Sequence, residues 1–270
     1  MIFVHDKGQM CNNILQYGHL YAWGREHGRQ TMSMRFAYKY RYFRICHTRY
    51  HNFFVYLFAK YASKWHLLPI ADFIASNNLE RQEQLLLCHH HIVAQGWSAR
   101  WYDLFLKYKA DIVSLFQFND QVRRMPDQLL GRLPQGSLRL GVHIRRGDYR
   151  AWYGGRYYYS DQQYLNVIKQ FLDQHKDQAI QLFICGNATD LKEDVFKEAF
   201  PDTIISFPKG NPGEDLYLLS QCDRLIGAPS TFTLVASMYR DIPLYWIEDP
   251  TLPFTDNSFG HFDQLFQQIK

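Results

Sequence analysis

The sequence has no apolar run long enough to cross a membrane, because no stretch reaches the roughly 18 uninterrupted apolar residues that a span needs. The printed sequence also opens without the basic head, apolar run and small-residue cleavage site of a signal peptide. Its five cysteines are widely spread and form no C-x-x-C pair, which predicts free thiols in a reducing compartment. We therefore expect a cytoplasmic protein without a membrane span. Contact with a membrane surface and the oligomeric state stay open.

Charge excess and metal-binding patterns are also scarce. The formal net charge of +4 is too small to indicate a nucleic-acid partner, and no RNP-type or helix-turn-helix pattern accompanies the aromatic, basic run at 35–50. The chain has no Asp-x-Asp pair, the usual ligand of a metal that holds a sugar diphosphate. The histidines that follow Cys88 are consecutive and cannot all face one ion. We expect no nucleic-acid partner, no metal and no cofactor.

The chain does have the length and composition of a folded α/β protein. Its 270 residues are 47% hydrophobic and 17% aromatic, enough for two modest domains or one large one. From about residue 137, short β-branched runs alternate with helical patterns, which predicts a doubly wound, mostly parallel sheet. The predicted strands are 138–144, 179–185, 203–207, 225–227 and 243–247. Helices are predicted from Asp161 to about 175, near 190–200, from Pro212 onward and from Thr231 to 239.

The N-terminal half is less regular. A first strand at 1–6 leads into a helix with apolar residues on one face, and period-two aromatics make a strand possible within 35–50. Residues 52–125 read as largely helical, and Pro126 and the Pro-Gly-containing stretch after it are turn signals. We therefore predict an N-terminal α/β domain at 1–130 and a C-terminal Rossmann-like domain at 131–270. Whether the last helix packs back on the first domain stays open.

The most specific polar cluster follows the strand at 138–144. Period two places His143 and Arg145 on one face of that strand and Arg146 on the other. Arginine offers a planar, permanently charged fork that matches phosphate oxygens. One arginine can meet a ligand while the other pairs with Asp148 or with an interdomain carboxylate. The alternative is a structural ion pair that caps the strand.

Three other clusters are candidates for the same end of a sheet, where doubly wound folds bind ligands. Ser230, Thr231 and Phe232 follow a strand and start a helix, which favours an anion site or an ordinary helix cap. Asp215 either complements a helix dipole or accepts the two donors of a guanine edge. Between the first strand and first helix, Asn12 and Asn13 are either helix-start residues or face the second domain across a cleft.

Together these residues resemble a known family, the GDP-fucose-dependent fucosyltransferases, with the bacterial α-1,2 group as the nearest. HIRRGD at 143–148 is similar to the family's H-x-R-R-x-D signature. The stretch at 8–17 resembles the start G-G-L-G-N-Q-M-F-Q-Y, with Asn12 and Tyr17 matching and Cys11 replacing a glycine. Residues 214–232 resemble a third block, E-D-L-x-L-M-S-x-C-x-x-x-I-I-A-N-S-S-F-S-W-W, although Leu234 and Val235 replace the tryptophan pair.

The resemblance implies a GT-B-like enzyme with two Rossmann-like domains facing a cleft, inverting and independent of metal. It implies that Arg145 contacts the β-phosphate of GDP-fucose, while His143 and Asp148 shape that site. It also implies that Asp215 reads guanine, that Ser230, Thr231 and Phe232 surround the phosphates and base, and that Asn12 and Asn13 line the sugar side. By position alone, Asp6 is our candidate base for a glycan acceptor hydroxyl, and the segment at 149–153 is a candidate acceptor wall.

Two alternatives stay open. One is a related transferase that uses another GDP-sugar or fucosylates a protein. The other is a catalytically silent nucleotide- or glycan-binding module, because no general base is evident and the tryptophan pair is missing.

Overall fold

The structure is a computed structural model that describes residues 1–5, 8–36, 40–74, 77–132, 134 and 136–269. Its internal contacts divide the chain into two units, Met1–Asn119 and Asp120–Lys270, each built around its own parallel sheet.

The first unit has a four-stranded sheet in the order β2-β1-β4-β3, with every described pairing parallel. Its strands are β1 (Ile2–His5), β2 (Thr31–Ser33), β3 (Ile70–Asp72) and β4 (Ile92–Gln95). Its helices are α1 (Met10–Glu26), α2 (Phe53–Lys64), α3 (Leu79–Cys88), α4 (Tyr102–Lys107) and α5 (Lys109–Leu115). The expected first strand and first helix are confirmed.

Two stretches of this unit differ in detail from the sequence interpretation, and residues 37–39 of the first lie outside the described part of the chain. The described part of the run at 35–50 contains a 3₁₀ turn at Arg44–His47 and an isolated bridge from Phe43 rather than a strand. Two of its rings are fully buried: the centroids of Tyr40 and Phe43 lie 5.0 and 5.5 Å from the ring centroid of Phe116. The stretch at 52–125 is not simply helical, because β3 and β4 interrupt it.

The second unit has a five-stranded sheet in the order β7-β6-β5-β8-β9, again parallel throughout its described pairings, which confirms the doubly wound prediction. Its strands are β5 (Leu138–Ile144), β6 (Ile180–Gly186), β7 (Ile204–Ser206), β8 (Arg224–Gly227) and β9 (Leu244–Trp246). Its helices are α6 (Asp120–Gly131), α7 (Asp161–Gln174), α8 (Glu193–Ala199), α9 (Pro212–Leu219), α10 (Thr231–Met238) and α11 (Phe262–Phe266).

The chain divides at 119/120, earlier than the expected 130/131. The cause is α6, which packs within the second unit: Tyr217 on α9 donates to Asp127 at 2.6 Å, and Arg123 lies over the Tyr217 ring at 5.7 Å. Pro126, the predicted boundary signal, is buried inside this helix rather than at its end. The domain boundary therefore lies before this helix, whose buried face packs in the second unit, and not at the proline inside it.

Strand β5 lies at the centre of the second sheet and is buried on both faces, with Gly141 and His143 on one face and Leu140, Val142 and Ile144 on the other. Leu140, Val142 and Ile144 are fully buried, as expected for a parallel strand covered by helices on both sides. A side chain at Gly141 would approach Leu219 to 2.7 Å, so glycine lets α9 lie close to the strand. The chain crosses to β6 on one side of β5 and to β8 on the other, so β5 and β8 form the topological switch point of this sheet.

Candidate functional site

The predicted motifs of the second unit meet at the switch point. His143, near the end of β5, pairs in register with Gly227 of β8 and with Cys185 of β6. Its ring stacks on Phe232, with centroids 4.5 Å apart and planes 14° from parallel. Tyr149 donates its hydroxyl to the carbonyl of Pro229 at 2.5 Å. The segments at 143–148 and 228–232, which the sequence treats separately, therefore form one cluster.

His143 is held in its neutral form. The side chain is buried, and burial together with the nearby Arg145 cation lowers its pKa to about 3. Nδ1 finds no hydrogen-bond partner among the residues that the structure describes. A neutral, flat ring against Phe232 is suited to packing against a ligand rather than to moving protons at neutral pH.

Arg145 is aimed outward and preorganised by a carboxylate. Its Nε donates to Asp148 Oδ1 at 3.0 Å and its Nη2 donates to Oδ2 at 2.8 Å, a bidentate pair. The guanidinium side chain is 17% exposed and Asp148 is 57% exposed. Two of the five N–H groups are used, and the other three have no partner within the described part of the chain, so they can meet an anion.

Arg146 has a different role, because it is buried in an ion cluster. Its guanidinium donates to Asp161, to Asp190 at 3.1 Å and to the carbonyl of Tyr159 at 3.0 Å. The sequence predicts that one arginine pairs with Asp148 or with an interdomain carboxylate. Asp148 does pair with an arginine, which is Arg145, whereas the acids that bind Arg146 belong to its own unit and not to the other domain. Sequence reasoning missed Asp161 and Asp190; both are acids close to the start of a predicted helix, which was the available signal.

Removing this buried cation is expected to destabilise the second unit. Replacing Arg146 with methionine leaves Asp161, whose side chain is 17% exposed, without its partner, at a cost of about 3 kcal/mol or more. Urea unfolding measures the loss. Arg156, which is exposed on the same loop, is the matched control, and its methionine variant should stay within about 0.5 kcal/mol of the parent. Equal losses for both variants would contradict a structural role for the ion cluster.

Asp215 behaves unlike a helix cap. The capping box of α9 is made by Asn211 and Glu214. Asn211 Oδ1 accepts from the backbone N–H of Glu214 at 3.2 Å, and Glu214 Oε2 accepts from the backbone N–H of Asn211 at 2.7 Å. Asp215 Oδ1 is buried and has no hydrogen-bond partner among the described residues. Burial and the neighbouring Glu214 carboxylate raise the pKa of Asp215 to about 7. Cys185 on β6 is paired with His143 on β5. Burial raises the pKa of the Cys185 thiol, and the charge of Asp215 raises it further.

Ser230 has the ordinary role that the sequence allowed. It is the N-cap of α10, and its Oγ accepts from the N–H of Thr233 at 3.3 Å. Trp246 on β9 donates to Thr233 Oγ1 at 3.0 Å, which fixes this corner. Thr231 and Phe232 occupy the first turn and are half-buried. The anion contact predicted for Ser230 and Thr231 stays a prediction, whereas Phe232 is placed by its stacking on His143.

The N-terminal candidates lie in the first unit. Gly8 has a φ of +97°, and a side chain there would come within 2.9 Å of Asn12, so this turn requires glycine. Asn13 is buried and donates to the carbonyl of Gly8 at 3.2 Å, while Asn12 is half-buried. Both residues therefore lie in the first turn of α1, next to the Gly8 turn. Asp6, the candidate base, lies outside the described residues.

The candidate acceptor wall is an exposed aromatic group next to the Arg145 loop. Trp152 is 42% exposed and Tyr153 is 68% exposed. The Trp152 ring lies 4.6 Å from the buried Tyr149, whose hydroxyl is bonded to Pro229. The segment is thus attached to the switch-point cluster, and its role toward an acceptor stays a prediction.

Three further findings bear on the sequence expectations. All five cysteines are free thiols, as predicted. Within the described ranges, no three His, Cys, Asp or Glu side chains are grouped so as to hold a metal ion. In the same ranges, no helix has both the length and the apolar character needed to cross a membrane.

Comparison with known proteins was made against families, curated sequences and solved structures. The sequence model of a family described as "Glycosyl transferase family 11" matches residues 6–241. Galactoside alpha-(1,2)-fucosyltransferase 2 of Pongo pygmaeus is 24% identical over 169 residues, 58% of this chain and 48% of that protein. The protein of the same name from Hylobates lar is 22% identical over 200 residues, 70% of this chain and 55% of that protein. The chain spans about half the length of the curated relatives that it matches.

Similar solved structures include three fucosyltransferases. An Arabidopsis thaliana FUT1 variant in complex with GDP gives a TM-score of 0.66 at 13% identity, covering 96% of this chain and 73% of that one. NodZ alpha-1,6-fucosyltransferase soaked with GDP-fucose gives a TM-score of 0.57 at 14% identity, covering 96% of this chain and 97% of that one. POFUT1 in complex with GDP-fucose gives a TM-score of 0.57 at 12% identity, covering 89% of this chain and 93% of that one. At these identities the likeness concerns the fold, and it confirms the predicted α/β, GT-B-like class.

Proposed function

Because the chain belongs to glycosyl transferase family 11, we propose that it transfers fucose from GDP-fucose to a hydroxyl group of a glycan. We propose further that the reaction inverts the anomeric carbon and needs no metal. We also propose an α-1,2 linkage, because the names of the curated relatives give that linkage. The observation that carries the proposal is the presence, in the same unit, of a cation with free donors and a buried carboxylate oxygen without a partner among the described residues. Arg145 offers free donors to a diphosphate, and Asp215 offers an unsatisfied carboxylate to a base.

The diphosphate is assigned to Arg145. Its bond to Asp148 fixes the plane of the guanidinium and leaves three N–H donors for phosphate oxygens. Departure of GDP concentrates negative charge on the β-phosphate, and a positioned cation lowers the free energy of that transition state. Asp148 is a positioning residue in this scheme, because it acts through Arg145.

Guanine is assigned to Asp215 and the stacked rings of His143 and Phe232. The base presents N1–H and the 2-amino group side by side, and an ionised carboxylate accepts from both. A buried acceptor without a partner is costly in the empty protein, and a ligand that supplies two donors offsets that cost. UDP-sugars lack this pair of adjacent donors, which favours a guanosine donor.

The proposed reaction is a single displacement. The acceptor hydroxyl oxygen attacks the anomeric carbon from the face opposite the diphosphate. The bond from that carbon to the β-phosphate oxygen breaks, and its electron pair stays on the phosphate near Arg145. The hydroxyl proton passes to a base, for which Asp6, directly after β1, is the candidate by its position in the chain. The exposed rings of Trp152 and Tyr153 are proposed to pack against the acceptor sugar.

Ligand binding and turnover in excess EDTA test the proposal. A ligand at about one hundred times its dissociation constant adds roughly 2.7 kcal/mol of stability, which raises the melting temperature by several degrees. We expect this shift with GDP and GDP-fucose, no shift with UDP-glucose, and fucosyl transfer to a galactoside that EDTA does not stop. A shift with GDP-mannose and turnover of that sugar would favour the related transferase. Binding of GDP without turnover of any sugar or protein acceptor would favour the silent module.

A further inference from the structure

Helix α2 carries five aromatic rings that face solvent. They are Phe53, Phe54, Phe58 and Tyr61 on the helix and Trp65 at its C-cap. Phe54 is 81% exposed and Trp65 is 63% exposed. At about 100° per residue the five positions fall within roughly 140° of the helix circumference, so they form one continuous face. Exposed apolar groups are usually scattered, and a contiguous row of this size marks an interaction surface.

The opposite side fixes this helix to the first unit. Ala59 is fully buried and Ala62 is 5% exposed. Asn52 caps the helix by accepting from the N–H of Val55 at 3.0 Å. At the border of the aromatic face, the ring of Phe58 also lies 6.0 Å from the buried ring of Phe3 on β1. The aromatic face is therefore displayed by a capped helix that is anchored on the sheet.

The charge around this helix has a single sign. Residues 27–71 contain eight Lys or Arg and no Asp or Glu, whereas the other 225 residues contain 22 Lys or Arg and 26 Asp or Glu. The whole basic excess of the chain is thus concentrated in one segment. Lys60 and Lys64 are exposed at the edge of the aromatic rings, and Arg41, Arg44 and Arg49 of the same segment are exposed as well.

We propose that the aromatic–basic face, defined as the five rings together with Lys60 and Lys64, binds the surface of a bilayer that contains anionic phospholipid. Rings of Phe and Trp enter the boundary between headgroups and acyl chains, and lysines beside them extend to the anionic headgroups. A segment of 45 residues without an acid matches a surface that is uniformly negative. A protein interface is instead depleted in lysine and presents charges of both signs. This binding is independent of the nucleotide site.

Co-sedimentation of the full chain with vesicles tests the proposal. We expect binding to vesicles of phosphatidylcholine with 30% phosphatidylglycerol that is much tighter than binding to phosphatidylcholine alone, and that weakens with salt. Replacing Lys60 and Lys64 with glutamine should reduce binding to the anionic vesicles roughly five-fold for each lysine. Replacing Phe54 and Trp65 with serine should reduce binding to the anionic vesicles by about ten-fold or more.

Matched controls come from the second unit. Lys169 and Lys176 are exposed, as is Leu252, which is 57% exposed. Their glutamine and serine variants should bind as the parent does. Equal losses in the controls, absence of binding to anionic vesicles, or equal binding to neutral and anionic vesicles would each overturn the proposal. So would self-association without vesicles that the Phe54→Ser and Trp65→Ser changes abolish, because a second copy would then be the occupant.

Discussion

Replacing Arg145 with alanine is expected to reduce the turnover number for fucosyl transfer by roughly 100- to 1,000-fold, the effect of losing one positioned donor to developing charge. The contact strengthens as the diphosphate departs, so the loss appears mainly in kcat rather than in KM. Initial rates with GDP-fucose and a galactoside measure it. Unfolding should change little, because Asp148, the partner left behind, is 57% exposed and stays hydrated.

The control and the conservative variants separate a catalytic role from a structural one. Arg156→Ala removes an exposed arginine of the same loop, which lies 5.3 Å over the Tyr157 ring, and should leave kcat unchanged. Asp148→Asn keeps the guanidinium but removes the charge that orients it, so a smaller loss is expected. Normal turnover in Arg145→Ala would remove Arg145 from the diphosphate site. If Arg145→Ala lost stability to an extent that explains its loss of activity, the Arg145–Asp148 pair would be a structural ion pair at the end of β5.

The second half of the chain was predictable because each strand is short, apolar and bounded by a turn. The predicted strand at 138–144 coincides with Leu138–Ile144, and the predicted helix starts at Asp161, Pro212 and Thr231 are those of the structure. Parallel strands buried on both faces produce this uniform signal. In the first half, β3 and β4 have three and four residues, too short to separate from the helical patterns around them.

The site was predictable in its members but not in its pairings. Period two placed Arg145 and Arg146 on opposite faces, and in the structure the two arginines have different partners. The partners of Arg146 are Asp161 and Asp190, which lie 15 and 44 residues away along the chain. Such contacts depend on how α7 and the loop after β6 pack on the sheet, and no local pattern records that. Whether Asp215 caps its helix or keeps an unused oxygen likewise depended on Asn211 and Glu214 forming the cap.

Asp215→Asn is expected to weaken binding of GDP by about 100-fold and binding of IDP by about ten-fold, measured by titration calorimetry at pH 8. The ionised carboxylate accepts from N1–H and from the 2-amino group of guanine, and each bond to a charged acceptor contributes about 1.5 kcal/mol or more. IDP lacks the 2-amino group, so it has one such bond to lose. Glu198, an exposed acid on α8, supplies the control through Glu198→Gln, which should bind both nucleotides as the parent does.

The pH dependence of the same variant distinguishes a base-reading carboxylate from a cap. The pKa of Asp215 is raised to about 7, so lowering the pH from 8 to 6 protonates it and should weaken GDP binding in the parent but not in Asp215→Asn.

The folded chain also holds this proton more tightly than the unfolded chain, whose Asp pKa is about 3.9, so the parent loses stability as pH rises from about 4 to 7. The melting temperature of Asp215→Asn should therefore exceed that of the parent by a difference that grows from about pH 4 to pH 7 and is constant above pH 7. A helix cap predicts the opposite, since replacing an ionised acid near the start of α9 would lower stability at pH 8. A more stable variant that binds GDP weakly thus indicates that the buried charge is retained for the ligand, whereas a less stable variant with equal losses for GDP and IDP would assign Asp215 to the helix alone.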